Sequence, residues 1–141
     1  MSYAEKIIKV FNDFDGQNLT RLDTFYAADV VFEDPVTRIE GLKELKKYYS
    51  HAYKNVISIR FEFGAIFNNG DDYAAPWTMH LAVKGLNKEQ PYSVKGLSHL
   101  KFNSSGLVAY HRDYVDLGDM VYERIPLIGA GVRKLKKFLA P

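Results

Sequence analysis

His111 and Asp113 stand two residues apart in the run Leu107 to Asp116. In an extended strand, residues two apart point to the same face. A carboxylate beside an imidazole holds its tautomer and raises its basicity, so this pair suits a proton shuttle near neutral pH. Leu107, Ala109 and Val115 share the phase, and two ionisable groups on an apolar face are costly unless used or paired. A structural role stands beside the catalytic one, with Asp113 fixing a loop or helix end and His111 serving as a satisfied core histidine. Asp34 precedes Pro35, the pattern of a turn starter whose carboxylate caps neighbouring amides. His80 and His99 fall on the other phase of their strands with no carboxylate at ligand spacing, so no metal site is expected. The absence of cysteine excludes disulfides, thiolate metal centres and a cysteine nucleophile.

The elements that must carry these groups change period along the chain. Ile7, Ile8, Val10, Phe11 and Phe14 keep helical spacing from Tyr3 to Asp15, and a short second helix is expected from Leu19 to about Ala27. A brief strand over Val30, Val31 and Phe32 stops at Pro35. A third helix follows Gly41, with Leu42, Leu45, Tyr48, Tyr49 and Ala52 on one face. From Val56 the period becomes two: Ile57, Ile59, Phe61 and Phe63, then Trp77, Met79, Leu81 and Val83, then Tyr92 to Phe102, then Leu107 to Asp116. Four long strands after the helices predict an α+β domain, an antiparallel sheet with its helices on one face. Phe61, Phe63, Trp77 and Met79 lie on the inward phase, where they serve as core and can also wall a pocket.

Composition narrows the function classes. The chain has 141 residues, 19 basic and 17 acidic, with ten Tyr and nine Phe, enough aromatics to line a cavity for an apolar ligand. Four of the basic residues, Arg133, Lys134, Lys136 and Lys137, fall in the final stretch, and the rest is slightly acidic, which argues against nucleic-acid binding. No secretion signal or membrane-spanning run is visible, so a cytoplasmic location and no integral membrane association are expected. Residues 118–141 are expected to form an amphipathic basic helical extension to a domain over residues 1–117. That extension either packs Val132, Leu135, Phe138 and Leu139 on the domain or lies on a membrane surface or acidic partner, and packing is the favoured reading.

The element order resembles the nuclear-transport-factor-2-like superfamily over roughly Tyr3 to Leu117. Three strings carry the resemblance: Phe32-Glu33-Asp34-Pro35-Val36, the turn from Leu100-Lys101-Phe102-Asn103 to Gly106, and His111-Arg112-Asp113-Tyr114-Val115-Asp116. The resemblance implies a cone in which a strongly bent sheet wraps around three helices and encloses a pocket. The first string is similar to ketosteroid isomerase, which places Asp34 at the base position and Tyr49 at a supporting tyrosine. That enzyme uses a Tyr and a protonated Asp as its oxyanion hole. Here the Tyr position falls at or near Val10 and the Asp position is Ser98, so efficient steroid isomerisation is not expected. The last string is similar to limonene-epoxide hydrolase, but Trp77 and Met79 stand where its Arg and second Asp would be. It is also similar to the SnoaL polyketide cyclases, which move protons on a carbon acid with an Asp and a His, roles open to Asp113 and His111. Homodimers are frequent in the superfamily, and Leu97 and Ala82 on the outer sheet face suit one.

The expectation is therefore a pocket for a small hydrophobic molecule with Asp34, His111 and Asp113 as its ionisable groups. Tyr49, Trp77, Met79, Ser98, Phe61 and Phe63 are expected to surround the ligand. If the protein is an enzyme, it is a cofactor-independent isomerase or cyclase acting by proton transfer at an enolisable carbon. A non-catalytic ligand-binding protein or a protein-interaction module is the alternative.

Overall fold

Ser2 caps the first helix, α1 (Tyr3–Asp13), through a reciprocal pair in which its hydroxyl accepts the Glu5 amide and Glu5 accepts the Ser2 amide. The computed structural model describes residues 1–140. The apolar stripe of α1 delivers Ile7 to the core, with Val10 and Phe11 packed beside it. Gly41, at φ +90°, turns the chain into α2 (Leu42–Ala52) while its amide donates to the Val30 carbonyl.

The strands are β1 (Tyr26–Glu33), β2 (Arg38–Glu40), β3 (Val56–Phe63), β4 (Phe67–Asn69), β5 (Asp72–Val83), β6 (Tyr92–Phe102) and β7 (Val108–Val115). They form one sheet in the order β2-β1-β7-β6-β5-β3, with β4 paired to β5. α1 packs on β3 and α2 on β1, toward opposite ends of that order. Phe11 of α1 lies 5.2 Å from Phe61 on β3 and 5.7 Å from His111 on β7, so the sheet curves around the helix. Beyond β7, α3 (Leu117–Met120), a 3-10 turn (Tyr122–Arg124) and α4 (Pro126–Leu139) complete the order.

The α+β class holds, with four differences from the expected elements. The second helix is a 3-10 turn over Leu19–Thr24, and Tyr26 and Ala27 belong to β1, which is longer than expected. Sheet pairing wins over the local pattern here, since the Val108 amide donates to the Phe25 carbonyl. The sheet is also not wholly antiparallel, because β1 runs parallel to β7. In β7 a register shift between Lys101 and Phe102 of β6 leaves Ala109 out of phase, so Val108 rather than Ala109 or Leu107 is buried on the side of His111. Finally, Leu135, Phe138 and Leu139 of α4 are exposed rather than packed on the domain.

Trp77 faces Gly96 across the β5–β6 pair, with its six-membered ring where a Cβ on residue 96 would lie. Gly96→Ala is therefore expected to lower stability by about 1–3 kcal/mol, the usual cost of overpacking. Thermal unfolding and the near-ultraviolet signal of Trp77 check this; an unchanged melting temperature would show that the ring moves freely.

Candidate functional site

The inward face of the sheet and the two helices enclose a cavity of about 270 Å³. Its walls are mainly aromatic and aliphatic, and its ionisable groups are Asp34, His111, Asp113 and the tyrosines 26, 48, 49, 53 and 92. β7 positions His111 and Asp113 together: the first is fully buried and the second half-buried. His111 Nε2 lies 2.6 Å from Asp113 Oδ1, so the two form a bonded pair.

Two chains of hydrogen bonds end on that same oxygen. On one side Trp77 Nε1 donates to Ser98 Oγ at 2.9 Å, and Ser98 donates to Asp113 Oδ1 at 2.5 Å. Indole has only a donor and a carboxylate only acceptors, which fixes the direction of this chain. On the other side Tyr49 and Tyr26 hydroxyls meet at 2.9 Å, and Tyr26 Oη is 2.7 Å from His111 Nδ1. With its hydrogen on Nε2, the imidazole donates to Asp113 and offers Nδ1 as an acceptor to the Tyr26 hydroxyl, which in turn accepts from Tyr49. Asp113 Oδ2 has no hydrogen-bond partner among the described residues.

Asp34 lines the same cavity but is engaged differently. Its Oδ1 accepts the amides of Val36 at 2.8 Å and Thr37 at 2.9 Å, and its Oδ2 accepts the Tyr48 hydroxyl. This is the turn cap that the Asp-Pro pair suggested, with a tyrosine added. Arg112, which points to the other face, pairs with Glu33 at 3.1 Å and leaves Asp113 to its own network.

The remaining expected site residues divide in two. Tyr49, Met79 and Phe61 line the cavity. Trp77, Ser98 and Phe63 lie outside its wall, where Trp77 and Ser98 hold Asp113 and Phe63 packs against Phe11 at 5.4 Å. The Ser98 hydroxyl is committed to Asp113 and so is not free to donate to a ligand.

Sequence reasoning missed Tyr26 and Tyr53 as polar groups of the site, and counted Tyr48 only as a helix-face residue. Tyr49 and Tyr53, four apart along one helical face, were the available signal. Tyr53 lines the cavity and its hydroxyl bonds to no other described residue.

Burial pushes the tyrosine hydroxyls up from their usual range at Tyr26, Tyr48, Tyr49 and Tyr53, and the Asp113 charge adds to each shift. At Tyr26 the bond to Tyr49 offsets part of the rise; at Tyr48 the bond to Asp34 reinforces it. These hydroxyls are therefore neutral donors at neutral pH. Among the described residues no three His, Asp or Glu side chains are grouped so as to hold a metal ion, and no helix is long and apolar enough to cross a membrane.

With the geometry in view, comparison with solved structures defines the class as the nuclear-transport-factor-2-like α+β fold. The family profile described as a SnoaL-like domain matches residues 7–111. The chain belongs to the SnoaL-like domain family. An NTF2-like protein of unknown function from Burkholderia pseudomallei superposes with a TM-score of 0.69 at 14% identity, over 85% of this chain and 95% of its own. A protein from Catenulispora acidiphila with a ketosteroid isomerase-like fold, in complex with trimethylamine, gives 0.68 at 18% identity over 80% and 85%. A protein from Shewanella putrefaciens described as a candidate SnoaL-like polyketide cyclase gives 0.70 at 19% identity over 84% and 90%. At such identities the likeness shows the fold. A comparison with curated proteins gives no match.

The raised tyrosines carry a pH prediction. A group whose folded pKa lies above its unfolded value, 10.0 for tyrosine, contributes stability that is intact below pH 10 and lost as pH rises through the folded value. Alkaline titration is expected to show tyrosinate absorbance from the buried tyrosines rising together with loss of the circular-dichroism signal above pH 10. Full ionisation of every tyrosine in a still-folded protein would contradict this.

Proposed function

We propose that the cavity takes a small, mainly apolar molecule with an enolisable carbonyl group and that Asp113 moves a proton on it. What carries this reading is the convergence of two donor chains on Asp113 Oδ1, leaving Oδ2 without a partner on a side chain that lines an apolar cavity. The volume lies just below the range of about 300–1,000 Å³ usual for ligand sites, which suits a ligand smaller than a steroid.

In the step envisaged, the C–H bond next to the carbonyl breaks and its proton passes to Asp113 Oδ2. The electron pair moves onto the carbonyl oxygen, where the Tyr53 hydroxyl donates to the enolate. Return of the proton to a different carbon gives an isomer; alternatively the enolate carbon attacks an internal carbonyl, whose π bond breaks to give an alkoxide that takes the proton back from Asp113 as the ring closes. His111 is a positioning residue here: its Nε2–H fixes the Asp113 carboxylate, and Tyr26 fixes the ring. Asp34 holds the turn after β1 and the Tyr48 hydroxyl, so the base role that the isomerase resemblance implied for it passes in this reading to Asp113.

A second reading is non-catalytic binding in the same cavity, and the full engagement of Asp34 favours it. A panel of small enolisable ketones separates the two, with solvent-deuterium incorporation at the carbon acid as the readout. Under the catalytic reading one ketone exchanges, and Asp113→Asn lowers the rate by about 10²–10⁴ while binding persists. Ligands that bind without exchanging deuterium would establish the receptor reading, and exchange unaffected by Asp113→Asn would remove Asp113 from the chemistry.

A further inference from the structure

Helix α4 sits on the body by the wrong side for an ordinary amphipathic helix. Gly129, its one buried residue, lies against the Glu123 backbone; Arg133 donates to the Glu123 carbonyl at 2.8 Å. Lys136 pairs with Asp116 at 2.8 Å and Glu123 at 3.0 Å. With 3.6 residues per turn, Leu127, Phe138, Leu135, Ile128 and Leu139 fall within an arc of about 120°. That arc faces away from the anchor: Leu127 is 89% exposed, Phe138 79% and Leu139 72%. Usually such a stripe faces the core.

We propose that α4 is an interfacial helix whose outward apolar arc enters the surface of an anionic phospholipid bilayer. Charge complementarity selects this occupant. Among residues 124–140 there are five basic residues and no acidic one. Arg124 is neutralised by Asp119 at 2.9 Å, and Arg133 and Lys136 are taken up by the anchor. Lys134 and Lys137 have no ion pair among the described residues, and Lys134 borders Leu127 on the helical wheel, so positive charge flanks the apolar arc.

An interfacial helix needs this combination: apolar side chains reaching the acyl boundary, and lysines at headgroup level. A second copy of the helix would instead bring the same lysines to a shared seam with no acid on the helix to meet them. The arc is also convex, which suits a deformable lipid surface. Gly129 and Gly131 weaken the helix in water, and burial of the arc in lipid compensates for them.

The test is co-sedimentation of the full chain with vesicles of phosphatidylcholine alone and of an equimolar mixture with phosphatidylserine, at low and high salt. The expected result is binding to the mixed vesicles, weakened by salt and absent on phosphatidylcholine. Lys134→Gln with Lys137→Gln should lower partitioning about thirty-fold, and Leu135→Asp with Phe138→Asp should abolish it. All four side chains are exposed, so the variants should keep the wild-type melting temperature. No binding to mixed vesicles at low salt would overturn the proposal. So would binding that both double variants leave intact, or a dimer in light scattering that Phe138→Asp dissolves while vesicle binding is lacking.

Discussion

A carboxylate at the wall of an apolar cavity has to be paid for in hydrogen bonds, and much of this structure is arranged around that of Asp113. An unpartnered charge in such a place costs several kcal/mol. Here one oxygen receives Ser98 and His111 at 2.5 and 2.6 Å. Each of those donors is held by another group, Trp77 behind the serine and Tyr26 behind the imidazole. The indole can reach Ser98 because Gly96 has no side chain to obstruct its ring. A glycine on one strand thus helps set the orientation of a carboxylate on the next.

The irregularities of the sheet serve the same arrangement. Parallel pairing of β1 with β7 sets Phe32 beside His111, and the rings meet edge to face at 5.0 Å. The break in β1 register between Tyr26 and Val31 allows Tyr26 to stack near the imidazole at 5.8 Å and donate to it. The bulge at Ala109 keeps Val108 buried without changing the facing of His111 and Asp113. On the helical side, Tyr48, Tyr49 and Tyr53 complete the wall, and the negative field of Asp113 helps hold all of them protonated.

Period and punctuation made most of this legible from the sequence. The shift from helical spacing to alternation located α1, α2 and the four long strands, and spacing within β7 paired His111 with Asp113. Tyr26 was misread because LTRLDTFYA satisfies a helical pattern locally, while the deciding interaction is with a strand some eighty residues later. Trp77 stands out as an inward residue by alternation and Ser98 by the isomerase resemblance, yet their role depends on which neighbour each side chain leans toward, and neither signal encodes that. In the tail, periodicity gives the existence of an apolar face, whereas its direction depends on Asp116 and Glu123 capturing Lys136 from the opposite side.

The central claim is that every donor in the network runs toward Asp113. Nitrogen-15 chemical shifts of the His111 ring, assigned by comparison with a His111→Gln variant, test it most directly. The account predicts hydrogen on Nε2 and a bare, hydrogen-bonded Nδ1, with the pattern disturbed in Asp113→Asn. Hydrogen on Nδ1 with a bare Nε2 would contradict it, because His111 would then present a lone pair to Asp113 and the carboxyl group would have to be the donor.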